Sequence, residues 1–300
     1  CDPALLGTTA AQASQQLMLL DPLYDDADVL DLQRRLLTRV MPERWRVVLL
    51  LTAPLELDSS TGKYEGPSQK KAIEWRNQFA GLGEEEELSV AAMYFPWLLN
   101  QEQVDAEVVS MPPTPFAAGI IARRDLARGP AISPANETVR AVVGVTRPVN
   151  DDVQTLLYAP PININVFRPF AGYGIQLWGA RTLSAEKYLR YLAVRRTLTA
   201  IQRRSHRALQ SIVFEPHNAI LWMRVTQLIF DILLGFFNQG ALRGAEPREA
   251  FYVRCDGSNN TKETVHAGQL NIEVGVAIAA PAEFIVFRVG RREGVIEMVE

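Results

Sequence analysis

The chain has 300 residues, of which 48% are hydrophobic and 22% charged, and it carries a formal net charge of −3 at pH 7. This balance is typical of an ordinary globular protein with a sizeable core, in one large domain or two smaller ones, and it argues against disorder. No basic excess is present to neutralise phosphates, so the composition argues against a nucleic-acid binder.

The first hundred residues show the alternating pattern of an α/β unit. In chain order, the sequence predicts helices Thr9–Leu20 and Asp28–Val40, a buried strand in Trp45–Thr52, a polar loop Asp58–Gly66, a helix Ser68–Phe79, a solvated acidic loop Glu84–Glu87 and a buried strand Leu88–Phe95. A strand, a helix and a strand at this spacing predict a parallel βαβ unit with a right-handed crossover.

A proline-rich segment, Met111–Pro115, is expected to interrupt regular structure, and it marks the predicted internal boundary. After it, the sequence predicts helices Phe116–Leu126, Val149–Leu157, Ser184–Leu209 and Ala219–Phe237, a short segment Val139–Val145, and strands Ile164–Arg168, Gly174–Arg181, Ser211–Glu215, Phe251–Cys255, Leu270–Ile278 and Glu283–Val289. In Leu270–Val276 apolar residues alternate with polar ones and glycine, which predicts a strand with one buried face.

Three features bear on the setting of the protein. Its two cysteines, Cys1 and Cys255, are too few for a disulfide framework, so a reducing compartment is expected. The longest apolar run, around Ile229–Phe237, is interrupted by an aspartate and a glycine and is shorter than the roughly 18 residues of a membrane span. The chain begins with neither methionine nor a signal-peptide pattern, and we interpret it as a fragment.

No catalytic or metal-binding motif is recognisable in the sequence. The nucleophile elbow, the phosphate-binding loop and the zinc-protease motif do not occur. Gly172–Gly174 begins like a dinucleotide fingerprint, but the next glycine has the wrong spacing and the segment precedes a strand, which predicts a tight turn. His206, His217 and His266 lack metal-ligand spacing, and Cys255 is interpreted as a buried structural cysteine. The sequence therefore predicts no enzyme, no cofactor and no metal site.

Several motif blocks follow one another in order from Pro112 onward. They are Pro112–Arg123 (PPTPFAAGIIAR) with Asp125, Gly129 and Pro134–Glu137; Ile164–Ser184 with Arg168, Gly174 and Trp178–Leu183; Val194–Arg196; Val213–Pro216 with Asn218, Leu221 and Trp222; Gly240–Leu242 with Gly244; Ala250–Val253 with Cys255 and Asp256; and Pro281–Ile285. Together these blocks resemble the conserved C-terminal region of contractile phage-tail sheath proteins. Several blocks in the right order are far more specific than any single short motif.

The resemblance implies an α+β (mixed α/β) fold in which β-sheets are flanked by helices. Residues 1–110 would form the α/β part of the sheath core, and residues 111–289 the conserved C-terminal domain with an extended C-terminal strand arm. Residues 290–300 would be a terminal tail beyond the usual end of the family. Pro130–Ile132 departs from a segment that is often bulky or basic, and the N-terminal extended arm of the family is not recognised.

For function, the resemblance implies a structural protomer of a contractile sheath, built of stacked sixfold rings around an inner tube. Contraction would drive the tube through a target envelope. The implied partners are other copies of the chain, an inner tube protein, and baseplate and cap proteins, with no nucleic acid, membrane insertion or cofactor. Assembly would take place in the bacterial cytoplasm, within a phage tail or a released phage-tail-like particle. The alternatives are a sheath variant at the cap or baseplate end, an α/β enzyme and a peptide-binding module.

The last predicted strand is a candidate link between subunits. It consists of Glu283, Phe284, Ile285, Val286, Phe287, Arg288 and Val289. As an exposed edge this apolar segment would be an aggregation hazard, whereas adding it to a neighbouring copy's sheet would satisfy its backbone groups. Such a contact joins different patches and generates open helical assemblies. The alternative is a central strand of its own domain, with Val295–Val299 as a hairpin partner.

The helix Ser184–Leu209 is a candidate surface for docking on an acidic inner tube. The basic residues proposed for this face are Arg195, Arg196, Arg203, Arg204 and Arg207. Charge complementarity would favour such contacts, and exposed ion pairs worth about 0–1 kcal/mol each could be released one ring at a time. The alternative is a solvated helix face with local ion pairs.

Overall fold

The computed structural model describes residues 26–40, 47–57, 59–60, 64–101, 107–283, 288–292 and 295–299. The predicted helix Thr9–Leu20 lies outside these residues. The structure contains helices as well as strands, and the strands form several sheets, so the mixed α+β prediction is confirmed.

A five-stranded sheet forms the centre of the fold. Its strands, in spatial order, are β1 (Leu49–Leu51), β4 (Ala91–Phe95), β9 (Ile164–Phe170), β10 (Gly174–Trp178) and β7 (Glu137–Thr138). The first three are parallel, while β10 runs antiparallel to both β9 and β7. Between β1 and β4 lie helices α2 (Gln69–Asn77) and α3 (Glu85–Leu88), so the predicted parallel βαβ unit is confirmed.

Apolar side chains of β4 alternate between two cores on opposite faces of this sheet. Ala91, Met93 and Phe95 belong to the first core, and Ala92 and Tyr94 belong to the second. The first core is closed by apolar residues of α1 (Asp26–Val40), α2 and α5 (Asp151–Tyr158), and the second by those of α4 (Pro113–Arg128). All five residues of β4 are buried, as its continuous apolar sequence predicts for a strand covered on both faces.

The predicted interruption at Met111–Pro115 is confined to Pro112, with regular elements on both sides of it. Val109–Met111 is strand β6, and α4 begins at Pro113. Proline is tolerated there because the first residues of a helix have no intrahelical acceptor for their N–H groups. Strand β6 pairs with β5 (Leu98–Asn100), which also pairs with β8 (Gly144–Val145). The central sheet likewise takes strands from both sides of Met111.

Residues after 200 form a further apolar core. The elements around it are the C-terminal half of α6 (Leu192–Leu209), α7 (Ala219–Asn238), α8 (Pro247–Ala250), β11 (Phe251–Arg254) and β12 (Glu273–Val276). The buried stripe of α7 consists of Leu221, Val225, Ile229, Leu233 and Phe236, at helical spacing. Strand β12 is shorter than the predicted Leu270–Ile278, and Val274 on its predicted buried face is exposed.

Four other local predictions differ from the structure. Ser211–Glu215 is not a strand, because Gln210–Ile212 is a 3₁₀ turn that continues α6. The predicted helix Ser184–Leu209 begins only at Leu192. The acidic run contains the one-turn helix α3, in which the N–H of Glu84 donates to the Glu87 carboxylate at 3.0 Å. The predicted loop Asp58–Gly66 contains the short strand Tyr64–Glu65.

The remaining elements are short. They are β2 (Glu56–Leu57), β3 (Tyr64–Glu65), α9 (Lys262–His266), β13 (Arg288–Arg292) and β14 (Val295–Val299). Strands β2 and β3 form one antiparallel pair, and β13 and β14 form another.

Candidate functional site

The structure divides the five arginines of the predicted basic helix face into two groups. Arg195 is 2% exposed and Arg196 is 7% exposed, so neither belongs to a docking surface. Arg195 donates to Thr199 Oγ1 at 3.3 Å and to Gln202 Oε1 at 3.4 Å within α6. The prediction for these two residues needs correction, because they lie on the half of α6 that packs into the protein.

Arg196 forms an ion pair with Asp125 of α4 and therefore ties two helices together. Burial lowers the pKa of the Arg196 guanidinium to about 10, although the nearby Tyr94 partly offsets this effect. Burial also raises the pKa of Tyr94, whose side chain lies in the second core. Both shifts have the direction expected when low-dielectric surroundings penalise the charged form. This part of α6 is structural.

Arg203, Arg204 and Arg207 lie on the exposed C-terminal turns of α6. The guanidinium carbon of Arg204 lies 4.6 Å from the centroid of the Phe236 ring, so this cation also packs on an aromatic face of α7. Arg203 borders a cavity of about 260 Å³ that is also lined by Asp125 and Arg196. These three arginines form the basic patch, which can make electrostatic contacts with an acidic surface.

The predicted intersubunit strand is described only at its two ends. Phe284, Ile285, Val286 and Phe287 lie outside the described residues. Glu283 contacts the core, and Arg288 and Val289 begin β13. Strand β13 pairs with β14 from Arg288↔Val299 to Arg292↔Val295. Val295–Val299 is thus a hairpin partner, as the alternative interpretation expected, but the strand opposite it is Arg288–Arg292 and includes residues 290–292 beyond the predicted strand.

Among the described residues, this hairpin forms a two-stranded sheet of its own. An isolated two-stranded hairpin is marginally stable at best in water, because its backbone edges remain unpaired. The sheet of β11 and β12 likewise contains only two strands within the described part of the chain. The protein therefore carries small sheets with edges that can accept or donate a strand.

The block Trp178–Leu183 connects the central sheet to its surroundings. The Asn165 side-chain amide donates to Met93 O at 3.1 Å and to Arg181 O at 2.8 Å, and Asn165 Oδ1 accepts from Arg181 N at 2.6 Å. Gly179 adopts φ 154°, and a Cβ there would lie 2.8 Å from the Tyr158 ring. This close approach explains the glycine next to Trp178.

Arg181 meets Glu283, although 102 residues separate them in sequence. Their oxygen and nitrogen atoms approach to 2.5 Å, and both side chains are largely buried. The sequence placed each of them in a separate motif block, but no local pattern indicates that they pair. Only the tertiary fold brings the two blocks together.

The turn before α7 exposes apolar residues that the sequence assigned to a strand. Phe214 is fully exposed and has φ 72°, a left-handed conformation that is rare for a bulky residue. Val213 in the same turn is also exposed, and so are Ile220 and Met223 near the start of α7. No periodic pattern marks Val213 and Phe214, since they follow a helix end and precede the next helix cap.

Helix α7 is long and apolar enough to cross a membrane by length and composition, with a mean hydropathy of 1.6. Its buried stripe packs into the core formed by residues after 200, whereas Ile220, Met223 and Phe230 of the same helix are exposed. An aspartate and a glycine interrupt the apolar run of this helix, but its mean hydropathy stays high because the average covers the whole helix.

The described residues contain no group of three or more metal-ligand side chains. Cys255 is buried, and burial raises the pKa of its thiol, so the reactive thiolate is disfavoured. His217 packs edge-on against Trp222, with ring centroids 5.8 Å apart. The environment of Cys255 fits its interpretation as a buried structural cysteine.

Solved structures of contractile injection systems are similar to this chain. A sheath complex of the extracellular contractile injection system PVC, in the contracted state, is 30% identical over 82% of this chain, with a TM-score of 0.69. The helical sheath of the anti-feeding prophage, also contracted, is 29% identical over 85%, with a TM-score of 0.68. A contracted baseplate structure of the same prophage is 29% identical over 86%, with a TM-score of 0.71.

The chain spans 64% of the length of the two sheath chains, which is less than two thirds, and 69% of the chain in the baseplate structure. A sheath tail protein from Desulfitobacterium hafniense shares the fold at 12% identity over 79% of this chain and 49% of its own, with a TM-score of 0.52. No family model matches the sequence, and no curated protein does so. The resemblance of this chain to contractile-tail sheath proteins is therefore confirmed by solved sheath structures that match more than four fifths of it at about 30% identity.

Proposed function

We propose that this chain is a structural protomer of a contractile sheath. Copies assemble as stacked sixfold rings in a helix around an inner tube, and contraction drives the tube through a target envelope. The observation that carries this proposal is the similarity of more than four fifths of the chain to sheath complexes in the contracted state. Its proposed partners are further copies of itself, an inner tube protein, and cap and baseplate proteins. Assembly takes place in the bacterial cytoplasm, and the role is mechanical.

Electron microscopy of the full-length protein expressed alone tests this function. We expect striated tubes, because a sheath protomer carries the contacts that join copies along and around a helix. A protein that stays monomeric or dimeric at high concentration would contradict the proposal. Extended and contracted tubes differ in diameter and striation spacing, so the same images show whether the assembly contracts.

The C-terminal arm, defined as residues 284–300, is the proposed link between copies. Its backbone forms the β13–β14 hairpin, which pairs with no other described strand. Adding this hairpin to an open sheet edge of a neighbour satisfies backbone groups that are otherwise left to water. The link keeps subunits connected while their other contacts change.

Deleting residues 284–300 tests the arm and leaves Glu283 in place. We expect the truncated monomer to fold with an unchanged melting temperature but to form few tubes. Deleting only residues 290–300 leaves Arg288 and Val289 of β13, and it shows whether the hairpin or the segment before it is required. Normal polymerisation of the longer deletion would refute strand exchange.

The basic patch of Arg203, Arg204 and Arg207 is the proposed contact with an acidic inner tube. Arg203→Glu combined with Arg204→Glu should abolish co-assembly with the tube protein while leaving tube-free sheath polymers intact. A matched control is Lys70→Glu with Arg248→Glu, which makes the same charge change at two exposed sites on α2 and α8. Equal co-assembly of the two double variants would rule out docking through this patch.

A variant that nucleates or ends the stack at the baseplate is the second candidate. It is favoured by the similarity to a chain in a contracted baseplate structure. Such a protein would form single rings or short stacks instead of long tubes, and it would bind one end of a preformed sheath. The same micrographs therefore separate the two functions.

A further inference from the structure

Glu283 occupies the position at which the core ends and the C-terminal arm begins. The chain reaches it from β12 through Ala277 and Ala279, whose N–H groups donate to Ala250 O at 2.8 Å and to Ala241 O at 3.0 Å. Between Glu283 and β13 lie four residues of the predicted intersubunit strand. Glu283 is therefore the last residue of the core before the arm within the described part of the chain.

The Glu283 carboxylate is held by two side chains of the core. Arg181 Nη2 donates to Oε2 at 2.5 Å and Arg181 Nε to Oε1 at 3.3 Å, which gives a two-pronged ion pair. The Tyr158 hydroxyl donates to Oε1 at 2.5 Å. The Arg181 side chain is 4% exposed and that of Glu283 is 13% exposed, so water screens this contact weakly.

Arg181 and Tyr158 are positioned by the core itself. Arg181 Nη1 donates to Tyr158 O at 2.5 Å and to Asn163 Oδ1 at 3.4 Å, and the guanidinium lies 3.9 Å from the centroid of the Tyr158 ring. Burial and the neighbouring carboxylate raise the pKa of Tyr158, so its hydroxyl stays a donor. A Cβ at Gly179 would collide with the same Tyr158 ring, so the ring needs glycine at this position.

We propose that Arg181 and Tyr158 form a socket that anchors Glu283 and fixes the point at which the C-terminal arm leaves the core. Arg181 lies three residues after the end of β10, and its backbone is hydrogen-bonded to the Asn165 side chain of β9, so a force on the arm is transmitted to the central sheet. The inference deepens the proposed function, since it rests on the arm linking copies. It also assigns a physical role to two motif blocks, Trp178–Leu183 and Pro281–Ile285, that meet only in the folded protein.

Breaking a buried ion pair by removing one charge is strongly unfavourable, because the remaining charge is left without a partner. Glu283→Gln removes the charge at nearly constant size. The chain offers a matched control in an exposed cluster of the same three residue types. There Tyr252 donates to Glu273 Oε1 at 2.7 Å and Arg254 to Oε2 at 3.3 Å, so Glu273→Gln makes the same change at the surface.

The first measurement is hydrogen exchange of the unassembled chain, followed in the peptide of residues 276–283. We expect Glu283→Gln to accelerate exchange of the Ala277 and Ala279 amides at least tenfold, with little change in the central strands. Glu273→Gln should leave this peptide within about twofold of the unmodified protein. Because no assembly is involved, this result does not depend on whether the protein forms a sheath.

The second measurement is the fraction of protein sedimenting as tubes. We expect Glu283→Gln to lower it at least fivefold relative to Glu273→Gln, as an unanchored arm holds its neighbour less firmly. Unchanged exchange would overturn the socket, and faster exchange with normal tubes would overturn its role in the arm. If Glu283→Gln fails to fold, Tyr158→Phe replaces it, since this variant removes one donor to the carboxylate and keeps the ion pair. Unchanged hydrogen exchange in Tyr158→Phe would equally overturn the socket. Absence of tubes from the unmodified protein would instead contradict the proposed function.

Discussion

Several arginines that look like surface residues in the sequence are structural. Arg76, Arg181, Arg195 and Arg196 are buried among the described residues. The first two and Arg196 contact oxygen atoms of other segments, and Arg195 contacts side chains further along α6. A guanidinium is suited to this task because it carries five donors in a rigid fork and remains charged. A basic residue on a helix is therefore weak evidence for a binding face until its burial is known.

Arg76 illustrates the energetic consequence. It donates to three backbone oxygens, those of Pro161, Ile162 and Leu183, at 2.7–3.0 Å. Arg76→Met should lower the free energy of unfolding by about 3 kcal/mol, because it leaves buried carbonyl groups without donors. Urea denaturation measures this change. Lys70→Met on the same helix is the control, and equal effects of the two substitutions would refute the assigned role.

Replacing Phe214 by glycine should stabilise the protein. Its φ of 72° is unfavourable for a side chain with a Cβ, and its ring is fully exposed, so little burial is lost. We expect Phe214→Gly to raise the free energy of unfolding by about 0.5–1 kcal/mol. Tyr173→Gly is the control, since Tyr173 is also an exposed aromatic residue in a turn but is not among the residues with positive φ. A destabilised Phe214→Gly protein would contradict this account.

At the scale of elements, the N-terminus of α7 depends on one side chain. Asn218 Oδ1 accepts from the N–H groups of Ile220 at 3.0 Å and Leu221 at 3.1 Å. Asn218→Ala should cost about 1 kcal/mol, while Asn218→Asp should keep most of the stability. Thermal melting checks both substitutions, and equal loss in the two variants would show that the cap does not act through its oxygen.

Elements with strong local signals could be predicted from the sequence. The buried strand β4, the amphipathic helix α1 and the crossover between β1 and β4 have the apolar spacing that defines them. The segment after α6 could not be predicted in this way. Val213 and its neighbours have strand-forming side chains, but the tight connection between α6 and α7 leaves room only for a turn.

The candidate surfaces were predictable only in part. The exposed arginines of α6 and the hairpin partner Val295–Val299 follow from local patterns of charge and glycine. The burial of Arg195 and Arg196 and the pairing of Arg181 with Glu283 depend on packing between distant segments. Periodicity carries no information about which of two faces of a helix meets a neighbour, so these contacts required the fold.

At the scale of the whole molecule, residue 111 is a boundary in the sequence, but the central sheet contains strands from both sides of it. Strand β4 pairs with β9 through Met93↔Ile164 and Phe95↔Val166, and α4 packs on the sheet that β1 and β4 begin. The resemblance to a conserved C-terminal region begins near this position, but the central sheet crosses it. The segment after residue 111 can therefore resemble a conserved family region without being a separately folding unit.

A fragment of residues 111–300 should consequently fail to fold alone. Removing β1 and β4 exposes Ile164, Val166 and Phe167, all of which are fully buried in the chain. Each such side chain contributes about 1.5–3 kcal/mol, so their combined loss is comparable to the total stability of about 5–15 kcal/mol of a typical protein. We expect no cooperative thermal transition and a weak near-ultraviolet circular dichroism signal. Co-expression with residues 1–110 should restore both, because the missing strands are then supplied in trans. A cooperative transition of the isolated fragment near that of the full chain would show instead that the residues after 111 fold independently of the first part of the sheet.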